Sequence, residues 1–451
     1  MSENALGVAI VGSGPAGFYA ADALLRSEDP PVLVDLIDRL PTPWGLVRFG
    51  VAPDHENIKA VSRAFERTAA RPGFRFFGNV EVGSTVSHDE LLGMYDAVVY
   101  TVGAQTDRRL GIPGEDLPGS WPATAFVAWY NGHPDFQDLG FDLGCTRAIV
   151  IGNGNVAIDC ARMLALTAEE LAPTDTTEEA AEAIAGSPLE EILMLGRRGP
   201  VQAAFTPPEL KELGELAGAE PVVDAADLVL DPASASELES DRERARRNYE
   251  LLQEYAARPV EGKPRRIVLR FLTSPVAILG DERVEAVEVV RNELVELDGR
   301  LVARPTGETE RIPAGLVLRS VGYRGIPLPG LPFDERSGTI PNEHGRVVGA
   351  DRVYVAGWIK RGPTGVIGTN KKDATETVEA LLEDACAGRL GGASAQGLEE
   401  LLDAKGVAYV DYRGWQAIDA VERAAGEPLG RPRVKLHRWE SLLAAGSRVA
   451  R

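Results

Sequence analysis

The segment from Val8 to Asp38 constrains the fold of this chain most strongly, because it combines two apolar runs, a glycine-rich turn and a helical pattern. The run Val8–Val11 predicts a buried strand, and the turn GSGPAG follows from Gly12 to Gly17. A helical pattern comes next, and the second apolar run ends at Asp38. The order of strand, glycine turn, helix and strand indicates a compact unit built on parallel strands.

Each glycine of this turn has a separate physical task. Gly12 permits the tight turn, Gly14 lets the backbone approach a pyrophosphate, and Gly17 lets the helix pack closely on the sheet. The helix start offers unpaired N–H groups to phosphates, and the carboxylate of Asp38 can accept hydrogen bonds from a ribose hydroxyl. The pattern therefore predicts a bound dinucleotide. The alternative is a strand-turn-helix that binds no ligand.

The same pattern recurs in the middle of the chain with a different ending. A strand is expected up to Ile151, and GNGNVA from Gly152 is the turn in its GxGxxA form. The second strand ends at Leu195 and is followed by two arginines, Arg197 and Arg198, where the first unit has an acid. Arginines suit a ribose 2′-phosphate, which a carboxylate would repel, so this unit favours NADP over NAD. The alternative for the arginines is a solvated strand end.

Composition disfavours several other classes of protein. A formal charge of −20 argues against nucleic acid as a partner, and no apolar run approaches the roughly 20 residues of a membrane helix. The three cysteines form no CxxC pair and the five histidines are scattered, so we expect neither an iron–sulfur cluster nor any other metal site. The start of the chain lacks the positive region of a signal peptide, which predicts a cytoplasmic protein. The length of 451 residues predicts about two or three domains.

Turn residues, caps and periodicity organise the rest of the chain. Prolines and glycines make residues 40–55 an ordered loop, and Asp54 is expected to cap a helix that runs to about Ala70. The other expected features are a linking segment over 121–140, charge-rich helices over 234–266, antiparallel strands over 267–302, a helix near 370, a small-residue linker over 388–395, and C-terminal helices near 415–425 and 438–445.

A series of motifs, in order along the chain, carries a resemblance to a known family. They are GSGPAG at Gly12, PWGLVRFGVAPDH at Pro43, GNGNVAIDCAR at Gly152, GRRGPVQAAFTPPELKE at Gly196, RFLTSP at Arg270, RSVGYRG at Arg319 and VAGWIKRGPTGVIGTNKKDA at Val355. With them the chain resembles the adrenodoxin-reductase-type ferredoxin NADP reductases. Trp44 and Glu56 depart from the family pattern, in which phenylalanine and proline are expected.

The resemblance implies an α/β fold of two nested Rossmann-like dinucleotide-binding domains, of the glutathione-reductase type. An FAD-binding domain would consist of residues 1–105 and 325–451, the second part with a C-terminal helical extension. An NADP-binding domain of residues 106–324 would be inserted between these parts. The implied reaction is that of a flavoprotein oxidoreductase, which transfers a hydride from NADPH to FAD and then single electrons to an iron–sulfur ferredoxin.

Matching of the motifs predicts two groups of cofactor-binding residues. Those for FAD are Gly12, Gly14, Ala16, Gly17, Asp38, Leu46, Val82, Trp358, Gly365, Val366 and Ile367. Those for NADP are Arg108, Asn153, Gly154, Asn155, Val156, Arg197, Arg198, Glu209 and Gly365.

A histidine and a glutamate form a couple beside the nicotinamide in similar proteins, and they map to His55 and Glu212. His55 would position the nicotinamide or support the docking face, while Glu212 holds its tautomer. The alternative is an ordinary helix-start histidine, because hydride transfer requires no acid or base.

An acidic ferredoxin partner requires a basic docking face on a protein whose net charge is negative. Four basic residues at intervals of four would form a stripe on the helix after His55, and they are Lys59, Arg63, Arg67 and Arg71. Lys360, Arg361, Lys371 and Lys372 would extend it. The alternative is a solvated helix face paired with Glu56 and Glu66.

Two other functions compete with this prediction. One is an NADPH dehydrogenase or diaphorase whose acceptor is a quinone or another small molecule. The other is an electron-input module of a larger complex, which the isolated cysteines disfavour because they supply no cluster segment. We expect a monomer with neither a nucleic-acid nor a membrane partner.

Overall fold

The structure is a computed structural model and describes residues 5–240, 243–391, 393 and 397–447. It divides into two compact units. The first consists of Met1–Thr106, Asn131–Gln137 and Gly322–Arg451, and the second of Asp107–Tyr130 and Asp138–Val321. The chain leaves the first unit after Thr106 and returns to it at Gly322. The predicted boundaries, after residues 105 and 324, lie within a few residues of these two positions. The return of Asn131–Gln137 to the first unit had no signal in the sequence.

In the first unit, strands from distant parts of the chain form one sheet. Across the sheet, the described strands are Asn342–Glu343, Arg346–Val347, Val353–Val355, Ala97–Tyr100, Leu6–Val11, Val32–Asp38 and Phe74–Gly78. The last five in this order run parallel, and Val8 lies opposite Val34 on one side and Ala97 on the other. Their side chains are buried on both faces, which explains the unbroken apolar runs in the sequence.

Helices and turns of the first unit build two apolar cores. The described helices are Pro15–Leu24, Leu46–Phe49, Glu56–Lys59, Ser62–Ala69, His88–Met94, Trp358–Arg361, Thr369–Cys386, Leu398–Ala404, Tyr412–Gly426 and Trp439–Gly446, with 3-10 turns at Pro134–Phe136 and Glu427–Leu429. One core contains Ile10 and Phe18, and the other contains Val11 and Tyr100. The C-terminal helices contribute Trp415 and Leu442 to the core with Phe18, in keeping with the helices expected there.

The second unit contains a parallel sheet and an antiparallel one. Across the parallel sheet, the described strands are Ser120–Pro122, Leu316–Arg319, Arg147–Ile151, Glu191–Leu195, Arg265–Arg270 and Ala219–Val223. The antiparallel sheet contains Thr273–Leu279, Ala286–Leu297 and Arg300–Pro313. The described helices are Ala123–Tyr130, Asn155–Ala165, Ala168–Leu171, Glu178–Ala185, Pro207–Glu212, Pro232–Glu239 and Glu243–Ala257, with 3-10 turns at Pro200–Gln202, Leu213–Glu215 and Ala225–Leu228.

Short strands lie near the crossings between the units. They are Thr106–Asp107 and Tyr323–Arg324, and the hydroxyl of Thr106 donates to the Arg324 carbonyl oxygen at 3.1 Å. Both of these bonded residues belong to the first unit.

Within the segment 121–140, which was expected to link two domains, the chain passes from the second unit to the first at Asn131 and back after Gln137. The segment also contains the helix Ala123–Tyr130, which is buried on nearly every side and therefore has no amphipathic period to reveal it. Two local predictions were wrong. The strand Arg265–Arg270, expected to be antiparallel in part, pairs in parallel with both neighbours. The helix expected from Asp54 to Ala70 is two helices, which begin at Glu56 and Ser62.

Hydrogen bonds explain the interruption of that helix. Arg63 N donates to the Ala60 carbonyl oxygen at 3.2 Å and Ala64 N to that of Val61 at 2.9 Å, so the chain turns with i to i−3 bonds at this point. Part of the small-residue linker expected over 388–395 lies outside the described residues.

Candidate active site

The first glycine turn joins the strand Leu6–Val11 to the helix Pro15–Leu24. Gly12 has a φ of +105°, and a Cβ on it would lie 2.7 Å from the carbonyl oxygen of Thr101, so the position requires glycine. A Cβ on Gly17 would lie 2.1 Å from the Gly12 carbonyl oxygen. A Cβ on Gly14, by contrast, would meet no atom within 4 Å. The space beside Gly14 is therefore open to a ligand, as a pyrophosphate site requires.

The helix that begins after Gly14 has unused hydrogen-bond donors at its start. No side chain caps it, and its first turn holds no acidic residue. Pro15 has no N–H, and the N–H of Phe18 donates to the Gly14 carbonyl oxygen at 3.1 Å. The N–H groups of Ala16 and Gly17 are thus the ones a phosphate would meet, at the positive end of the helix dipole.

Asp38, at the end of the second strand, is oriented by three hydrogen bonds. Its Oδ2 accepts from the Ser13 N–H at 2.7 Å and from the Ser13 hydroxyl at 2.6 Å, and its Oδ1 accepts from the Leu40 N–H at 2.8 Å. Burial raises the pKa of this carboxyl above its usual range, while the three bonds oppose the rise. A carboxylate has about four acceptor positions, so one remains for a ribose hydroxyl.

The proline-rich loop lies directly against the first glycine turn. The N–H of Trp44 donates to the Ser13 carbonyl oxygen at 2.9 Å, and a Cβ on Gly45 would lie 2.9 Å from the Cα of Gly14. Leu46, the next residue, is 39% exposed although it follows a buried loop. The loop therefore carries Leu46 to the open side of the turn, where the motif match expects a flavin contact.

The segment after the strand Val353–Val355 reaches the same turn from another direction. Gly357 has a φ of +79°, and a Cβ on it would lie 2.7 Å from the Cβ of Ala16. Its N–H donates to the carboxylate of Asp373, which fixes the start of the helix Trp358–Arg361. Val366 is 65% exposed, and its N–H donates to the Thr369 hydroxyl at 3.2 Å.

The structure thus groups most of the residues predicted for FAD. The glycine turn with Ala16, Asp38, Leu46 and the start of Trp358–Arg361 surround one open position, and Gly365, Val366 and Ile367 follow on the same segment as Trp358. Val82 follows Val80, whose N–H donates to the Asp38 carbonyl oxygen at 2.9 Å, and it packs against the core that contains Tyr100.

Buried donors in the first unit lack a partner, which fits a bound cofactor. Among the described residues, the Thr42 hydroxyl and the indole Nε1 atoms of Trp44 and Trp358 are buried and make no hydrogen bond. Buried donors of this kind are normally satisfied, so their position in the two segments beside the turn suggests an additional acceptor there. The polar groups of FAD would supply such acceptors.

The second glycine turn repeats the first in the second unit. A Cβ on Gly152 would lie 2.2 Å from the Ser320 carbonyl oxygen, whereas a Cβ on Gly154 would meet no atom within 4 Å. The helix Asn155–Ala165 begins without a side-chain cap or an acid in its first turn. Asn155 Oδ1 accepts from the Thr206 N–H at 2.8 Å, and the Asn153 carbonyl oxygen accepts from Ala204 N at 2.8 Å. These bonds hold the turn against the chain that follows the second strand.

The two arginines after the strand Glu191–Leu195 differ in environment. Arg197 is exposed, and among the described residues its guanidinium has no hydrogen-bond or ion-pair partner. Arg198 is half-buried and donates to the Gln202 carbonyl oxygen at 3.3 Å. Arg108 is exposed in the same unit, and Glu209 lies half-buried in the helix Pro207–Glu212 beyond Val156 and the turn. The open position at Gly154 and the unpaired Arg197 fit a nucleotide with a 2′-phosphate.

His55 and Glu212 belong to different units, so their predicted couple stays a prediction. His55 precedes the helix Glu56–Lys59 and makes no side-chain cap bond there. Glu212 ends the helix Pro207–Glu212, and its Oε2 lies 3.6 Å from the Nε of Arg162. Arg162 is buried and also pairs with Asp159 at 2.9 Å.

The predicted basic stripe is only partly formed. Arg63 and Arg67 are exposed and have no ion-pair partner among the described residues, but Arg71 lies beyond the helix and pairs with Asp22 at 3.1 Å. Because the helix is interrupted, Lys59 belongs to a different helix and is half-buried.

Two of the four residues expected to extend the basic stripe, Lys360 and Arg361, form ion pairs within the first unit. Lys360 is buried and pairs with Asp373 at 3.2 Å and Glu376 at 3.0 Å, and Arg361 also pairs with Asp373, at 3.8 Å. These two cations are therefore paired within the first unit, with the buried carboxylate of Asp373 and the partly exposed carboxylate of Glu376. Lys371 and Lys372 are exposed.

Comparisons with known proteins give the family of this chain. The model of the pyridine nucleotide-disulphide oxidoreductase family matches residues 6–194. The NADPH-ferredoxin reductase FprA of Mycobacterium tuberculosis is 51% identical, over 97% of this chain and 98% of its own. The chain belongs to the NADPH-ferredoxin reductase family.

A further relative and a solved structure are similar over almost their whole length. The mitochondrial NADPH:adrenodoxin oxidoreductase of Arabidopsis thaliana is 42% identical, over 99% of this chain and 96% of its own. The solved structure of Mycobacterium tuberculosis FprA in complex with NADPH has a TM-score of 0.93, with coverage of 98% of this chain and 99% of that one.

The family and the α/β fold class predicted from the motifs are therefore confirmed, and the reaction class is that of an oxidoreductase. The residue assignments and the domain boundaries stay predictions. Within the described part of the chain, we find no helix that is both long and apolar enough to span a membrane.

Proposed function

We propose that this protein is an NADPH-dependent ferredoxin reductase that binds FAD in the first unit and NADP(H) in the second. The observation that carries the proposal is that both units have an open glycine turn, followed in the first unit by a carboxylate and in the second by a guanidinium. In the first unit the second strand ends at the carboxylate of Asp38. In the second unit the strand ends at Leu195 and is followed by Arg197, whose guanidinium has no partner among the described residues. A carboxylate suits a free ribose, and a guanidinium suits a ribose that carries a 2′-phosphate.

The residues of this chain would bind and orient the cofactors. The chemistry that FAD supplies when bound is the conversion of a hydride into single electrons for an iron–sulfur acceptor. The N–H groups of Ala16 and Gly17 would hold its pyrophosphate and Asp38 its ribose. Leu46, Trp358 and the segment Gly365–Ile367 would line its ring system and exclude water.

His55 and Glu212 would act on the position of the nicotinamide. Glu212, paired with buried Arg162, would accept a hydrogen bond from His55 and hold the imidazole in one tautomer. Replacement of His55 by glutamine should then change the NADPH affinity or the rate of flavin reduction. If both stay unchanged, His55 is an ordinary helix-start residue.

A ferredoxin would dock on the exposed basic surface of the helix Ser62–Ala69. Arg63 and Arg67 lie four residues apart there, on one face, and neither is neutralised by an ion pair among the described residues. Such a surface would steer an acidic partner at low ionic strength even though the net charge of the protein is −20.

Charge reversal tests the docking surface. Arg63→Glu and Arg67→Glu should each slow ferredoxin reduction at low salt and leave reduction of a small dye unchanged, and added salt should narrow the difference. Arg336→Glu, at another exposed arginine of the first unit, is the matched control and should have little effect. Equal slowing with ferredoxin and with the dye would contradict docking at this helix.

Acceptor profiling separates the competing functions. A ferredoxin reductase should reduce ferredoxin at micromolar concentrations with a higher kcat/KM than any quinone or dye. A preference for quinones would favour an NADPH dehydrogenase, and loss of activity outside a larger assembly would favour an electron-input module. The cytoplasmic location and the monomeric state also stay predictions, and gel filtration tests the latter.

A further inference from the structure

The turn of residues 196–198 accepts hydrogen bonds at all three of its backbone carbonyl oxygens. The donors are Thr273, Leu272 and Asn292. The Gly196 oxygen accepts from the Thr273 N–H at 2.9 Å, and the Arg198 oxygen accepts from the Leu272 N–H at 3.0 Å. The Arg197 oxygen, between them, accepts from the side-chain Nδ2 of Asn292 at 2.9 Å. Thr273 and Asn292 belong to the antiparallel sheet of the second unit, and Leu272 directly precedes its first strand, so the sheet and the residue before it hold the turn at three consecutive peptides.

Asn292 makes the only one of these three bonds that depends on a side chain. It lies on the strand Ala286–Leu297, is 3% exposed, and its own N–H donates to the Leu272 carbonyl oxygen at 2.7 Å. Its Nδ2 also donates to the Ser274 hydroxyl at 2.8 Å. Both amide hydrogens therefore have acceptors, and the orientation of the amide is determined by its partners.

The strand is irregular at this residue. The pairing with Arg300–Pro313 shifts register between Val290 and Asn292. An irregularity of this kind changes the direction in which a strand side chain points. Here the Nδ2 of Asn292 lies 2.9 Å from the Arg197 carbonyl oxygen.

The consequence concerns the conformational freedom of Arg197. Its backbone is fixed, while its guanidinium is exposed and has no partner among the described residues. A long side chain on a fixed backbone loses less entropy when it binds a ligand than one on a mobile loop. A guanidinium in a fixed position also favours the bidentate geometry that phosphate prefers.

We propose that Asn292 is a positioning residue for 2′-phosphate recognition, because it fixes the backbone of Arg197 without contacting the nucleotide. The inference rests on the proposed function, in which the second unit binds NADP(H). The antiparallel sheet would then contribute to the preference for NADPH over NADH, in addition to Arg197 and Arg198.

Binding of nucleotide fragments tests the proposal without turnover. Calorimetric titration of the holoprotein with 2′,5′-ADP and with 5′-AMP compares ligands that differ only in the 2′-phosphate. Asn292→Ala should weaken 2′,5′-ADP about 5- to 10-fold, the equivalent of one lost hydrogen bond, and should change 5′-AMP less than about twofold. In steady state the KM for NADPH should rise while kcat and the KM for NADH stay constant.

Two variants control for damage to the sheet. Thr306→Ala removes a bond from the Thr306 hydroxyl to the Arg291 carbonyl oxygen, 3.0 Å long, which lies on the same strand pair but does not reach the arginine turn. It should leave both fragment affinities unchanged. Asn292→Leu keeps about the size of the side chain, has no donor and adds no charge, so it should reproduce the selective loss if Asn292→Ala does not fold.

The outcomes separate the inference from the proposed function. Wild-type protein that binds 2′,5′-ADP no better than 5′-AMP would contradict the NADP assignment itself. A wild-type preference that survives Asn292→Ala, or an equal loss for both fragments, would overturn the positioning role and leave the NADP assignment in place.

Discussion

A buried ion pair joins the segment after the proline-rich loop to the C-terminal part of the chain. Its removal should greatly lower the stability of this contact. Arg48 lies in the helix Leu46–Phe49, directly after the loop that contacts Gly14. Its guanidinium donates to both carboxylate oxygens of Glu422, at 2.9 and 2.5 Å, and the two side chains are 2% and 0% exposed. Glu422 also accepts from the Leu436 N–H at 2.8 Å and pairs with Arg433 at 3.1 Å.

The structure gives the size of the expected effect. Loss of one partner of a buried ion pair costs about 3–5 kcal/mol, because the other charge stays buried without compensation. Glu422→Gln would leave Arg48 in that state, while Arg433 keeps Asp419 at 2.6 Å. We therefore expect a destabilisation of about 3–5 kcal/mol at the contact between the loop and the helix Tyr412–Gly426. FAD should also dissociate faster, because the loop carries Leu46.

Native-state hydrogen exchange is the appropriate assay, because a protein of two units need not unfold in one step. Amides of residues 44–49 and 412–436 should lose protection by a factor of roughly 100 or more in Glu422→Gln. Glu293→Gln is the matched control, because it breaks an exposed ion pair with Arg304 at 2.5 Å and should cost less than about 1 kcal/mol. Unchanged protection in both segments would refute the reasoning.

Two further predictions follow from the glycine turn and from a buried acid. Gly14→Ala should leave the melting temperature of the apoprotein unchanged, because the new methyl group would meet no protein atom. It should weaken the affinity for FAD roughly tenfold or more, because the methyl group would occupy the ligand position. Gly12→Ala should instead lower the melting temperature, since its Cβ would clash with Thr101. Unchanged FAD affinity in Gly14→Ala would contradict the site. Burial raises the pKa of Asp107 to about 6 in the folded protein. As the pH rises from about 4 to 6, the unfolded chain therefore loses this proton before the folded protein does, and the contribution of Asp107 to the free energy of unfolding decreases. Relative to wild type, Asp107→Asn should gain up to about 3 kcal/mol of stability over this range, measured by calorimetric unfolding, and a constant difference would contradict the burial of the charge.

The sequence was most informative where function depends on local backbone geometry. Gly12, Gly14 and Gly17 are separated by fixed short intervals, and their roles follow from steric rules that do not require the rest of the fold. The roles proposed for Asp38 and Arg197 rest on the same kind of argument, since Asp38 ends a strand and Arg197 follows one, and each strand comes after a recognisable turn.

Contacts between distant residues were not predictable in this way. Arg48 and Glu422 are 374 residues apart, and nothing near either residue indicates the other. Lys360 and Arg361 look like surface cations in the sequence, and only the tertiary structure places Asp373 beside them. The role proposed for Asn292 is a similar case, because the residue lies at a register shift that hydrophobic periodicity does not reveal.

Anaerobic stopped-flow reduction of the purified flavoprotein by NADPH and by NADH tests the central claim most directly. The account predicts a protein with bound flavin whose visible absorbance is bleached rapidly by NADPH and more slowly by NADH. Arg197→Ala should narrow this difference, because it removes the cation assigned to the 2′-phosphate. Absence of bound flavin, or no bleaching by either nucleotide, would contradict the account, because the motifs would then be present without the chemistry.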